Sequence, residues 1–484
     1  MKNIYIAFFA GLITLSSCKK LTDGLDVNPN QPTDAPSELL LNGTEVASIL
    51  VYEGNLARIA GIFSNSFSGT DRQYVEYENY NSVAADYDDA WDNLYASVIA
   101  QAKIGEAKAT LVNNKLRMGI FQVIQAQAFG TAADLWGDVP FSEAGNPEKF
   151  PNPKFEPQAQ VYAGVQQLLD KAIVNLSANV GQSPAAKDIF YQGSAAKWIA
   201  AANTLKARFF LHTKNYSGAI AAAQKGIMSA SNNMMAPHGN TYASDFNVYY
   251  SFTVYDRPAY LTADGAYNPR LLTSSNSAYK GNAKTNETAR LMFLYQQDIN
   301  IGGLELNALS SDFDGSSPDD TGFFGSDASF PLLTYEENIL TLAEAYTKSG
   351  NSTSALNSLN SFRSYMDGGG YISSGYKASG LNYDPYLLTD FAPIVGIANK
   401  SNLTVDMALL KEILTERYVT FTGQLEQFND IRRTKNFIGV PAKKGNQIPA
   451  RFLYPQSEIN TNTNTPAVVA GDLFKVTAIN STPY

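Results

Sequence analysis

The chain of 484 residues contains one cysteine, Cys18, and only two histidines, His212 and His238. One thiol cannot close an internal disulfide, and thiolate metal sites need several ligands, so neither device holds the body together. Two histidines without the HExxH spacing leave no zinc-protease pattern, and no GxSxG, P-loop or dinucleotide fingerprint occurs. Carboxylates are plentiful, but sequence alone pairs none of them as acid and nucleophile. Positive charge is also short: 36 Lys and Arg stand against 45 Asp and Glu, a formal net charge of -9. That balance argues against nucleic acid as a partner and gives no polybasic patch for anionic lipid. The apolar run at the start is too short to span a hydrocarbon layer of roughly 30 Å, and no later run is expected to do so. What remains is a globular composition, 44% hydrophobic and 17% charged, long enough for a large core.

The start reads as an export signal. Lys2 supplies the positive end, residues 4–13 the apolar stretch, and Leu15, Ser16 and Ser17 place small residues before Cys18. The tetrapeptide resembles a bacterial lipobox, in which the cysteine is lipidated and becomes the first mature residue. Several acyl chains, at about 0.8 kcal/mol per buried CH₂, hold a protein stably where one does not. Residues 1–17 are therefore expected to be a lipoprotein signal, 18–36 a polar tether rich in Asn, Asp and Pro, and 37–484 the folded body.

The body is expected to be mainly α. Val161, Val165, Leu168, Leu169, Ala172, Ile173 and Leu176 form an amphipathic stripe, as do Trp91, Leu94, Tyr95, Val98 and Ala102. A third stripe runs from Leu409 through Ile413 and Leu414 to Tyr418 and Phe421. "ARFFLHTKNYSGAIAAA" from Ala207 and "AEAYTKSGNSTSALNSL" from Ala343 align without gaps. Each reads as helix, polar turn, helix, in the manner of a tetratricopeptide hairpin or of an ordinary αα-hairpin. Between about residues 232 and 331 the texture changes to long loops and short strands. There "FNVYYSFTVY" alternates Phe246, Val248, Tyr250, Phe252 and Val254, which predicts a strand.

Aromatics among polar groups are the best lead to a ligand. The chain has 28 Tyr against 3 Trp. Arg72, Tyr74, Tyr77 and Tyr80 lie among Asn, Asp, Glu and Gln, and Tyr249, Tyr250, Tyr255 and Tyr260 form a second group. Flat rings cover the C–H face of a sugar while neighbouring amides and carboxylates bond its hydroxyls; a peptide suits them nearly as well. The competing reading is that tyrosines three apart on a helix pack inward. Phe323 and Phe324 sit in a Gly/Asp loop without periodicity, which favours an exposed role. "DFDGSSPDD" (residues 312–320) invites Ca²⁺, but Gly315 falls at loop position four and no Glu follows at twelve. It reads as a solvated loop, and no cofactor is expected. His212, among Phe209, Phe210 and Leu211, reads as packed. Gly137 is expected to cap a helix in the left-handed conformation and Pro140 to prevent its continuation. Glu416 and Arg417 share a helix that Gly423 breaks, leaving Asp430 near Arg432 and Arg433, a set read as structural.

"DVNPNQPT", "TAADLWGDVPFSEA", "KARFFLHTKNY", "LAEAYTKSGN", "LTERYVTFTGQLEQFNDIRRTKN" and "IPARFLYPQSEINTN", in this order, resemble the SusD/RagB-like outer-membrane lipoproteins, in the branch with the Asn-Pro-Asn start. The resemblance runs from Cys18 to about Thr465. It implies a non-enzymatic lipoprotein that captures a glycan, or in some relatives a peptide, as a lid on a SusC-like TonB-dependent barrel. It also implies a helical scaffold of tetratricopeptide-like hairpins that contact the transporter, with ligand sites near residues 72–80 and 240–330. Lys19 and Lys20 replace the acidic run often seen after the cysteine of surface-exported relatives, and Phe428 stands where Trp is frequent. The rival classes are a helical-repeat assembly factor and an all-helical glycoside hydrolase. A carboxyl pair about 5 to 9.5 Å apart across a cleft would mark the hydrolase.

Overall fold

Helix α1 (Ser37–Glu53) and helix α2 (Asn55–Phe63) turn at Gly54 and pack their apolar faces into the centre. Together they are long and apolar enough to cross a membrane by composition, but 78% of that window is buried in the fold, which makes them core elements. The computed structural model describes residues 35–297, 302–310 and 318–484. The export signal, Cys18, Lys19, Lys20 and nearly all of the tether lie outside the described residues, as do residues 312–317 of the acidic loop.

Helices dominate, and their stripes explain why. Helix α3 (Gln101–Leu111) follows a π-helical stretch (Asn93–Ala100) that buries Leu94 and Val98. Helix α4 (Lys115–Trp136) is buried nearly all round, as a central helix must be. Asn114 caps it, its side chain accepting from the Arg117 N–H at 3.0 Å. Gly137 ends it with φ +89° and ψ -110°, a positive-φ turn distinct from the left-handed helical cap that was expected. Pro140 lies beyond, in a two-residue strand (Val139–Pro140) paired with Phe155–Glu156. Helix α5 (Gln158–Ala178) buries Val161, Val165, Leu169, Ala172 and Leu176 against α4. The close approach depends on Gly119, where a Cβ would meet Leu176 at 2.6 Å. Truncating a buried leucine such as Leu169 to alanine costs about 2–5 kcal/mol in sites of this kind.

The two matching segments form two matching hairpins. Helices α6 (Ala195–His212) and α7 (Tyr216–Ala223) make the first, and α8 (Tyr335–Lys348) and α9 (Ser352–Asp367) the second. Their turns use the same chemistry at aligned positions. Lys214 and Gly350 take positive φ, +61° and +75°, and the next residue is an asparagine cap. Asn215 accepts from Gly218 and Asn351 from Ser354, both at 3.0 Å. Small residues then let α7 lie against α8, where Leu211, Ala219 and Ala345 form their own buried cluster. The architecture is mainly α, with tetratricopeptide-like hairpins and a loop-rich insertion.

Antiparallel strands close the neck of that insertion: β2 (Met234–Ala236) pairs with β4 (Phe330–Leu333) across a bulge. Further out, β1 (Ser68–Gly69) pairs with β3 (Leu261–Thr262). The segment expected as a strand is instead a helical turn (Val248–Tyr250) running into a π-helical one (Ser251–Asp256). Asn247 decides this, because its side chain accepts from the N–H groups of Tyr249 and Tyr250 at 3.0 and 3.2 Å, capping a helix. Tyr249 and Phe252, three apart, then face inward, while Val254 is exposed. Helices α10 (Val405–Thr420) and α11 (Leu425–Arg433) complete the body. One contiguous apolar cluster runs through all of it, from Leu41 to Leu473.

Candidate functional site

The segments 68–80 and 238–262 meet on one side of the molecule. The β1–β3 ladder sets Gly69 opposite Leu261, and Thr70 donates from N–H to the Tyr260 carbonyl at 3.0 Å and from Oγ1 to the Ala259 carbonyl at 2.6 Å. Below this seam lies a stratum of rings. Tyr74 packs on Tyr77 (5.1 Å between centroids), Phe252 (5.0 Å) and Tyr260 (5.9 Å). The Arg58 guanidinium sits 4.1 Å over Phe252 and its Nε donates to the Tyr74 hydroxyl at 2.9 Å. Burial pushes the pKa of Tyr74 up, against the pull of Arg58, so the phenol keeps its proton and donates to Asn55 at 3.0 Å.

The loop above is fastened by buried polar groups. Glu53, at the end of α1, accepts from the Val248 N–H at 2.7 Å and bonds His238 Nε2 at 2.8 Å. Asn247 Nδ2 donates to the Ala328 carbonyl at 3.0 Å. On this support Tyr242 stands 64% exposed, its ring 4.9 Å from that of the half-buried Tyr255, which in turn stacks on Phe246 at 5.6 Å. Two residues on, the exposed Arg257 lies 6.0 Å from the Tyr260 ring. Arg72 is exposed, with Asp71 at 4.0 Å, a surface pair of little energetic weight. Arg72, Tyr80, Ala243 and Ala259 all hold positive φ without being glycine. Such strain collects where surrounding structure over-determines a loop, as at ligand clamps.

The residues marked from sequence thus separate into floor and rim. Tyr74, Tyr77 and Tyr80 are buried, as are Tyr249 and Tyr250. Tyr80 packs on Phe63 and accepts from the Lys443 N–H at 2.9 Å, and Tyr249 donates to the Gly423 carbonyl at 2.8 Å. None of the five offers a free ring face in this arrangement. Phe323 and Phe324, expected to be exposed, are also buried: they pack on each other at 4.8 Å and against Phe293 and Tyr249. A non-periodic loop gave no inward-facing signal, yet its rings fill the space under the neck strands. Arg72 and Tyr255 remain at the rim. Tyr242 was not singled out, and its only sequence signal was an aromatic in a polar loop, "NTYASDF".

A second set of charged side chains is wholly interior. Arg417 donates to Asp430 at 2.7 and 3.1 Å and to Thr341 at 2.8 Å, tying α10 to α11 and α8. Arg433 grips Glu344 at 2.5 and 2.7 Å and also donates to Asp430. Arg432 donates to the Asp134 and Ala450 carbonyls and lies 4.1 Å over the Phe428 ring. Glu416, one residue before Arg417, faces the other way, accepting from Lys280 at 2.6 Å and Arg290 at 2.7 Å. Burial alone would raise the pKa of Glu416, but those two cations outweigh it and hold the carboxyl at about 2.

His212 joins α6 to both α4 and α11: Nδ1 is 2.7 Å from Asp134 and Nε2 3.1 Å from Glu426. The three groups could hold a metal by proximity alone. However, a ligating imidazole must give up its proton, and here both ring nitrogens point at carboxylates. Burial would lower the imidazole's pKa, but the two carboxylates outweigh it and lift it to about 9. The arrangement is an imidazolium bridging two anions, and Tyr162 donates to Asp134 beside it.

A helical-hairpin scaffold displaying a loop-built aromatic surface is the class that this architecture defines. The chain belongs to the SusD-like family: the family described as "Starch-binding associating with outer membrane" matches residues 29–455. Among solved structures it is similar to a SusD/RagB family protein from Bacteroides thetaiotaomicron, with 20% identity, TM-score 0.65, and 89% of this chain and 95% of that one covered. A chitin-binding protein is similar at 19% identity and TM-score 0.61, covering 92% and 100%. A chitin-binding SusD homolog from Flavobacterium johnsoniae is similar at 15% identity and TM-score 0.61, covering 88% and 92%. None of the curated proteins matches the chain in sequence.

Proposed function

We propose that the protein captures an oligosaccharide at the outer membrane and passes it, chemically unchanged, to a SusC-like TonB-dependent transporter. The observation that carries this reading is the exposed Tyr242 ring on the half-buried Tyr255, backed by Phe246 and Tyr250, with the exposed Arg257 two residues further along the chain. An exposed tyrosine face covers the C–H surface of a pyranose, and the charged and amide groups beside it bond hydroxyls. The family description and the chitin-binding neighbours support a glycan over a peptide. Cys18 is the lipid anchor in this reading, residues 18–36 the tether, and residues 37–484 one body that faces the cell exterior. The tetratricopeptide-like hairpins supply the surface for the transporter.

Affinity electrophoresis with soluble starch and chitin oligosaccharides tests the capture step. The wild-type chain should be retarded by at least one of them, and Tyr242→Ala/Tyr255→Ala should run freely with an unchanged melting temperature. Truncating paired aromatic contacts of this kind costs about 1–2 kcal/mol or more in affinity. A wild-type chain that no glycan retards, even at millimolar levels, would overturn the sugar reading. So would a double variant retarded as strongly as the wild type.

A further inference from the structure

A cavity of about 240 Å³ opens between the loop before residue 280, the loop 397–403 and helix α10. It lies apart from the Tyr242 rim, sharing none of its residues. Tyr267 and Leu271 contribute its apolar wall, and Glu412, 8% exposed, lines its inner end. Among the described residues no hydrogen bond reaches Glu412 Oε1, and Lys280 Nζ lies 3.7 Å from it. Lys280 is already engaged by Glu287 and Glu416, each at 2.6 Å. A buried polar atom left in this condition costs free energy unless something else pairs with it.

The outer part of the cavity is cationic. Lys400 is exposed and holds the Tyr279 and Gly281 carbonyls at 2.5 and 3.1 Å, and the half-buried Lys411 donates to Ser401 at 2.7 Å. Among the described residues Glu412 is the only acid lining the cavity; with Lys280 taken up by Glu287 and Glu416, the lysines left facing it are Lys400 and Lys411, in a chain whose net charge is -9. Partial burial pulls the pKa of Lys400 down, with Glu412 opposing the shift and Lys280 adding to it. An anion at the mouth would relieve that cost, since ammonium–carboxylate hydrogen bonds are among the stronger ones. The volume lies below the roughly 300–1,000 Å³ of pockets that enclose drug-sized ligands, so the space suits one sugar ring rather than an oligosaccharide.

We propose that this cavity is a second binding site, for a single sugar acid whose carboxylate pairs with Lys400 and Lys411 while a hydroxyl meets Glu412. The site is independent of oligosaccharide capture at the tyrosine rim.

Titration calorimetry of the mature chain with D-glucuronate, and with D-glucose as the neutral comparator, tests it. Glucuronate should bind saturably and more tightly than glucose. Lys400→Ala/Lys411→Ala should weaken it by about tenfold or more, with an unchanged melting temperature as the control on folding. The same variant should be retarded by starch or chitin oligosaccharides as the wild type is, which separates this site from the rim. Three results would each overturn the proposal: no saturable heat with glucuronate up to tens of millimolar, glucose binding as tightly, or an unaffected double-lysine variant.

Discussion

His212→Gln gives the sharpest energetic test of the interior. The wild-type imidazole bridges Asp134 and Glu426, and its pKa is raised from 6.5 to about 9. A folded-state pKa above the unfolded one means that the native chain holds the proton more tightly. At 1.36 kcal/mol per pH unit, that preference contributes about 3 kcal/mol to folding. The contribution is fully present below pH 6.5 and is lost as pH rises through about 9. Glutamine approximates the size of the ring and keeps one donor group, but carries no titratable proton. Urea unfolding of both chains at pH 6 and pH 10 is the assay, and groups that titrate in both cancel in the difference. The advantage of the wild type over His212→Gln should shrink by about 3 kcal/mol between the two pH values. A difference that stays constant within about 0.5 kcal/mol would refute the imidazolium bridge and return His212 to a neutral packed ring.

Arg417→Leu leaves Asp430 and Glu344 short of a cation in the core, and should cost about 3–5 kcal/mol in urea unfolding; a loss under 1 kcal/mol would contradict the network. Gly423→Ala forces a side chain into φ +77° with Phe324 only 3.1 Å away, and should lower stability by about 1–2 kcal/mol, read as a drop in melting temperature. Cys18→Ser should move the protein from the membrane to the soluble fraction, and a variant that still sediments with membranes would refute the anchor.

The helices were legible because their information is periodic. Val161, Val165, Leu169, Ala172 and Leu176 repeat at helical spacing and all point into the core. The hairpins were legible through aligned alanines and through Asn215 and Asn351, which cap equivalent turns. The region 246–254 misled because alternation of apolar residues competes with a single capping side chain, Asn247, whose effect is invisible to a period of two. The aromatic site was legible in its segments but not in its facing. Tyr74, Tyr77 and Tyr80 are spaced as well for an outer face as for an inner one, and only packing on Phe252, Tyr260 and Phe63 decides it. Arg417 was read as structural beside Asp430, but the interior position of Arg290, and of Arg208, which pairs with Glu337 in the core, was hidden for a related reason. A charged residue reads as solvent-facing unless its partner is known, and the partners of Arg208 and Arg290 lie 129 and 126 residues away.

Glu416 and Arg417 are joined by one peptide bond but serve opposite halves of the molecule. Glu416 binds Lys280 and Arg290 of the insertion, and Arg417 binds the hairpin scaffold through Thr341 and Asp430. Helix α10 therefore works as a bolt between the hairpin frame and the insertion. Any change of loop sequence must also keep the Glu53–Val248 and Tyr249–Gly423 bonds, which fasten the same insertion to the frame.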